Sequence, residues 1–348
     1  MYTMKKYISI FALALVVALP LQAQKLSHFS QYHLMPHTFN PAFTGIEDYL
    51  DLKAGFRFNT VPNTVNDFRT PANYFVGANF SIRSGERVSP GFKAIRNTRP
   101  SAAENFSTME YHDDAVLRHG IGLTLSRRDI GPFSNTSALV SYALHMPISR
   151  KWTATMGIST GLTQDVLRPN EYQVVDTNDP IFVGLNTNGG NVLAADLNIG
   201  AALHHEDMYV AYALNQILRG EVSSTAIESD SVAVNYMTHT AQAGYRFQLT
   251  PGYQLMLSGA LNMRPDLGST YVGSAKIMMH EAFTFGLGYR SDGALTGYLG
   301  LLYDYRFTLG YSYDLNLGDA RQAYTTGAHE LVIGIALNNR YFKTPYFW

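Results

Sequence analysis

The chain has 348 residues, 27 acidic and 26 basic side chains, a formal net charge of -1 and no cysteine. That balance leaves no electrostatic footprint for nucleic acid, and the missing cysteine excludes a disulfide framework, a lipoprotein anchor and thiol chemistry. Charged residues are only 15%, against roughly a quarter in a typical soluble protein, while aromatics reach 13% and mean hydropathy is -0.08, too low for a helical membrane protein.

Residues 1–23 have the pattern of a signal peptide. Lys5 and Lys6 form a positive start, Ile8 to Leu19 an apolar core too short for a comfortable span, Pro20 a break, and LQA before Gln24 a cleavage site. Beyond it no uncharged apolar run approaches the ~18 residues of a spanning helix. The mature protein is therefore exported, and crosses a membrane only as a β-barrel.

Residues 24–48 carry FSQYHLMPHTFNPAFTG (29–45), with neither helical period nor strand alternation. Pro36 and Pro41 keep it out of a strand ladder. It is expected at the periplasmic mouth of the barrel as a plug or brace, with Gly45 turning the chain into the first strand.

From residue 49 to 337 the period becomes two. In WTATMGISTGLT (152–163), Trp152, Ala154, Met156, Ile158 and Leu162 alternate with Thr153, Thr155, Gly157, Ser159, Gly161 and Thr163. A strand between lipid and a polar lumen requires that split. Similar runs place fourteen strands near 49–58, 74–82, 120–126, 136–146, 152–166, 191–204, 208–214, 236–248, 253–262, 271–277, 281–290, 294–302, 307–314 and 329–337. The count is even, as in closed bacterial outer-membrane barrels. The fold class is all-β, a transmembrane outer-membrane barrel of antiparallel strands.

Connections after even-numbered strands are mostly short (147–151, 205–207, 250–252, 278–280, 303–306), as periplasmic turns should be. The others are longer: 59–73, 127–135, 167–190, 215–235, 263–270 and 315–328. Two break the rule: SDG (291–293) is short, and 83–119 reads as a long periplasmic insertion. Residues 338–348 form a periplasmic tail.

Arg57, Arg246, Arg290 and Glu330 interrupt apolar strands. An Arg on the lipid face costs about 2–4 kcal/mol at the midplane, so these groups are expected to face the lumen and pair there. Tyr142, Tyr209, Tyr298 and Tyr311 are expected in aromatic girdles, and His204 and His205 at an interfacial turn. His112, Asp113, Asp114 and His119 read as a solvated loop, and DTNDP (176–180) as an exposed one. No catalytic, metal or cofactor signature is present. On residues alone the lumen suits either a protein-docking barrel or a passive or ligand-specific porin.

Three stretches carry a family likeness. Phe29, Ser30, Gln31 and Tyr32, then Asn40, Pro41, Ala42 and Gly45, resemble the FSQY…NPAY-G signature of the PorP/SprF family of type IX secretion proteins. Residues 120–149 and 286–335 are similar to its central and C-terminal stretches, in the same order. The resemblance implies a non-enzymatic outer-membrane barrel of the type IX secretion and gliding machinery of Bacteroidota. It implies secretion or surface attachment of large adhesins. The implied partners are a substrate C-terminal domain, periplasmic machine components and outer-membrane lipid.

Overall fold

Strands form where an apolar residue alternates with a small or polar one, because that is the pattern that separates lipid from interior. The computed structural model describes residues 29–60, 71–87, 116–149, 151–168, 190–224, 237–265, 268–317, 325–339 and 344–348. The signal peptide, residues 88–115, His112 to Asp114, the 176–180 loop and residues 340–343 lie outside them.

Fourteen strands follow in chain order: β1 (Leu50–Thr60), β2 (Ala72–Arg87), β3 (Val116–Ile130), β4 (Phe133–Pro147), β5 (Thr153–Leu167), β6 (Gly190–His204), β7 (Met208–Ser224), β8 (Thr238–Thr250), β9 (Tyr253–Arg264), β10 (Gly268–Met279), β11 (Phe283–Arg290), β12 (Ala294–Tyr303), β13 (Phe307–Asn316) and β14 (Gly327–Leu337). Each pairs antiparallel with its sequence neighbours, and β14 closes on β1 from Leu50↔Leu337 to Thr60↔Gly327. Closure leaves no unpaired edge, the condition for backbone in lipid.

The two faces differ as the alternation requires. Along β5, Met156, Ile158 and Leu162 are exposed on the outside while Thr155, Ser159 and Thr163 are buried inside. On β14, Leu331, Ile333, Ile335 and Leu337 point out and Val332 and Ala336 point in.

One end of the barrel is closed by short turns at 148–152, 205–207, 251–252, 280–282 and 304–306. It is called the hairpin end below, and the opposite end the loop end. Several strands rise further toward the loop end than the alternation alone indicates. The expected loop 127–135 is instead a two-residue turn, Gly131–Pro132, between Ile130 and Phe133, with Gly131 at φ 55. Here polar pairing replaces apolar contact on both faces: Ser126 bonds Ser137 at 2.7 Å on the inward side, and Arg127 pairs with Asp129 at 3.1 Å on the outward side. A pattern of apolar residues cannot register such a strand. The expected loop 263–270 shrinks to 265–267 in the same way. β7 continues past residue 214 to Ser224, through a register shift opposite Leu197 and Ile199 where Gln216 has φ 56. Gln216 donates its amide to Asn198 Oδ1 at 2.7 Å, so the bulge is held by a side chain. Within the expected insertion 83–119, residues 83–87 and 116–119 are strand, with Arg83 opposite Arg118.

Two tyrosines expected in the girdles lie elsewhere. Tyr142 and Tyr311 are outward and exposed, but Tyr209 and Tyr298 are buried in the interior. His204 is likewise buried, its ring beside those of His145 and Tyr346. All three share inward parity with buried residues of their own strands, Tyr209 with Ala211, Tyr298 with Thr296 and His204 with Ala202.

Candidate functional site

The barrel interior is not an open lumen. Residues 29–49 run through it as three single-turn 3-10 helices, Tyr32–Leu34, Pro36–Thr38 and Pro41–Phe43. Pro36 and Pro41 start the second and third turns, where a missing N–H costs nothing. The Asn40 side chain caps the third by accepting the Ala42 amide at 2.9 Å. Irregular backbone at membrane depth is tolerated only when protein surrounds it. Here the wall supplies the partners. Gly45, at φ 65, donates its amide to Asn79 Oδ1 at 3.1 Å. Thr44 bonds Ser141 at 3.0 Å, and the Thr44 carbonyl meets His145 Nε2 at 2.8 Å. Asn215 donates to the Phe39 carbonyl at 3.1 Å.

The inward glycines make room for this segment. A Cβ at Gly120 would stand 1.9 Å from the Thr44 carbonyl oxygen, and one at Gly157 2.3 Å from the Pro41 carbonyl. A face that reads as pore lining is therefore a packing surface. Two apolar clusters complete the fit. Leu34 and Met35 pack with Phe75 and Val332; Ala42, Phe43 and Ile46 pack with Tyr209, Met256 and Met278.

The start of the segment is fixed by charge in the loop-end half. Arg57 bonds Asp314 at 2.7 Å and Glu330 at 3.3 Å, and Arg290 bonds Asp314 at 3.1 Å and Asp292 at 2.9 Å. Glu330 lies directly opposite Arg57 in the β1–β14 register. Its two carboxylate oxygens accept the amides of Ser30 and Gln31 at 2.7 and 2.8 Å. The Ser30 hydroxyl donates to Asp314 at 2.8 Å and accepts from Arg57 at 2.8 Å. Tyr298 donates to the Ser30 carbonyl at 3.3 Å. A buried pair is tolerated when its remaining hydrogen-bonding positions are filled. The segment's backbone amides fill those of Glu330.

Of the four charged residues singled out from the sequence, Arg57, Arg290 and Glu330 meet in this cluster. Arg246 does not; it is half-buried nearer the hairpin end and donates to the Tyr346 carbonyl at 2.6 Å. The motif residues line up along the wall. Phe29 meets Phe75 edge-on at 4.7 Å, Gln31 donates to the Glu330 carbonyl at 3.4 Å, and Tyr32 reaches Ser258 at 3.4 Å.

Sequence reasoning overlooked Asp314, the Lys53–Asp51 pair at 2.8 Å and the buried Lys276. Each carried the signal used for Arg57, an ionisable residue at inward parity on an otherwise apolar strand. The segment's own His33 and His37 are buried too. Burial, reinforced by Lys276 and Lys53, holds His33 well below the ordinary imidazole range. Burial, against the opposing pull of Asp51, brings His37 down to about 4. At the segment's end, burial pushes the Glu47 carboxyl up to about 7, although it accepts the Tyr346 amide at 2.6 Å. Among the described residues no group of three or more metal-ligating side chains comes together.

A closed barrel with an apolar exterior and a packed interior is a transmembrane barrel of the outer-membrane type. Similarity to known proteins refines that class. The family described as "Type IX secretion system membrane protein PorP/SprF" matches residues 21–335, and the chain belongs to it. No individually curated protein matches. Among solved structures, the toluene transporter TbuX of Ralstonia pickettii aligns at TM-score 0.48 and 10% identity, covering 88% of this chain and 93% of that one. Omp33 of Acinetobacter baumannii aligns at TM-score 0.43 and 9% identity, covering 84% and 100%. BamA of Haemophilus ducreyi aligns at TM-score 0.39 and 7% identity, covering 84% and 71%.

Arg57→Met should leave Asp314 and Glu330 buried without their shared cation, a loss of about 3–5 kcal/mol. Urea midpoints of the barrel refolded in vesicles measure it. Arg127→Met, at an exposed pair, should cost no more than about 1 kcal/mol; equal losses for the two would contradict the cluster's role. Glu47 gives a pH test. Its folded pKa lies above the unfolded 4.5, so the folded state holds the extra proton and stability falls as pH rises from 4.5 through 7. His37 acts oppositely, its stability rising between 4 and 6.5. Glu47→Gln should therefore flatten the decline in stability between pH 6.5 and 8, where most of the opposing His37 gain is already complete. An unchanged decline would assign it to other groups.

Proposed function

We propose that the protein is a non-enzymatic outer-membrane component of the type IX secretion machinery that works by protein contact and not by conduction. The family membership supports the machinery. The single observation that carries the non-conducting part is the segment 29–49 packed through the interior, tied to Asp314 and Glu330 at one end and to Asn79, Ser141 and His145 further down.

In this reading residues 1–23 are the export signal, 24–48 the plug, 49–337 the barrel and 338–348 a periplasmic tail. The hairpin end faces the periplasm and meets machine components, with the 83–119 connection on that side. The loop end faces outward, where 167–190, 215–235 and 315–328 hold a secreted substrate, such as the C-terminal domain of a large adhesin, for secretion or surface attachment. Arg57, Arg290 and Glu330 act as plug anchors and not as a conduction path. Arg246 serves the tail.

Removal of the gene should abolish secretion or surface display of at least one large substrate. Unchanged display of every type IX substrate would sink the proposal. Purified protein in planar bilayers should give no large steady conductance; a steady pore would favour the porin reading instead.

A further inference from the structure

The interior segment has one way out. It runs directly into β1, whose first residue, Leu50, is paired with Leu337 at the hairpin end. Sliding toward the loop end would pull Leu50 off that partner and drag β1 along the barrel. Withdrawal toward the hairpin end requires only that Ser30 and Gln31 leave Glu330 and Asp314. The middle of the segment offers modest resistance. Its longest regular element is a single 3-10 turn, and His33 Nδ1, His37 Nε2 and Asn40 Nδ2 are buried without a hydrogen-bond partner. Such orphan groups favour a state in which water reaches them. Retention therefore falls on the two ends.

At the hairpin end the tail is tied to the wall at successive turns. Asn339 donates to the Tyr305 carbonyl on the β12–β13 turn at 3.0 Å, and the Thr344 hydroxyl donates to Glu281 on the β10–β11 turn at 3.1 Å. The Tyr346 hydroxyl donates to the Met208 carbonyl at the start of β7 at 2.9 Å. In the closed strand order β7 stands as far from β14 as the ring allows, so the ties reach the opposite side of the mouth. Beyond the last tie Phe347 turns inward. Its ring meets Phe43 of the segment edge-on at 5.0 Å and Tyr209 of β7 at 4.9 Å, and Phe43 meets Tyr209 at 5.7 Å. Plug, wall and tail thus give one ring each to a buried edge-to-face junction, a favoured aromatic arrangement. Glu47 adds a polar link by accepting the Tyr346 amide at 2.6 Å.

We propose that residues 344–348 are a strap that keeps the interior segment in the barrel, with Phe347 as the stop against Phe43, and that the segment leaves only toward the hairpin end, after the strap has moved. The loop-end charge cluster holds the far end of the segment, and the strap holds the near end. Opening of the interior is therefore governed from the hairpin end. The inference rests on the plugged, non-conducting reading above and adds the element that keeps the plug in place.

The test compares the full-length protein with Phe347→Ala and the milder Phe347→Leu, each checked for folding by heat-modifiable gel mobility. The chain has no cysteine, so Ala42→Cys places a lone thiol on the buried part of the segment. Labelling of that thiol by a charged maleimide should accelerate by about tenfold or more in Phe347→Ala. It should rise less in Phe347→Leu, which carries the comparison if the alanine variant fails to fold. In planar bilayers the Phe347 variants should open intermittently where the parent stays closed. Adding Thr44→Cys with Ser141→Cys should abolish those openings and a reductant should restore them, which assigns them to the segment and not to a damaged wall. A protected thiol and closed channels in the folded variants would overturn the proposal and leave the proposed function standing. Openings that persist with the segment cross-linked would also overturn it. Steady conductance by the parent protein would overturn both.

Discussion

The buried guanidinium of Arg57 organises the interior. An unpaired charge there would cost several kcal/mol, so Asp314 and Glu330 must stand beside it, and they do, at 2.7 and 3.3 Å. Two carboxylates then need more donors than one arginine offers. Arg290 and Thr296 supply some to Asp314, and the amides of Ser30 and Gln31 supply the rest to Glu330. The barrel wall is thus electrostatically complete only when the segment is inside it. The segment in turn has no secondary structure longer than one turn, and its backbone groups find partners only because the wall surrounds them. Wall and plug satisfy each other's polar groups.

This interdependence explains the composition. Small inward residues such as Gly120 and Gly157 leave the width that the segment fills. Outward Leu, Ile and Phe provide the lipid face. The same inward pattern would serve a water-filled pore, and nothing in the alternation separates the two cases. The separation comes from residues 29–49, whose prolines, amides and aromatics have no reason to be irregular unless they lie against something.

Much of the wall was legible in the sequence because lipid imposes a period of two. All fourteen strands are where that period places them, and the even number follows. Their loop-end extensions were not legible: β3 and β4 continue through Arg127, Asp129 and Ser134, where cross-strand polar pairing replaces apolar contact. Nor was the inward course of Tyr209, Tyr298 and His204, since aromatic side chains suit both an interfacial girdle and a packed interior, and only parity decides. Arg57, Arg290 and Glu330 were recognisable as inward charges, but Asp314, the partner of both arginines, lies on a strand remote in sequence from Arg57. The meeting of the chain's two ends, Glu47 with Tyr346 and Phe43 with Phe347, has no local signature at all.

The claim on which the rest depends is that the N-proximal segment resides in the barrel as a fixed part. The chain lacks cysteine, so an introduced pair reports cleanly. The Thr44 and Ser141 hydroxyl oxygens are 3.0 Å apart, one on the segment and one on the wall. Thr44→Cys with Ser141→Cys, expressed in the native membrane and analysed under non-reducing conditions, should form a disulfide in nearly every folded molecule without added oxidant beyond the oxidising periplasm. Persistent free thiols at both positions in folded barrel would contradict the account.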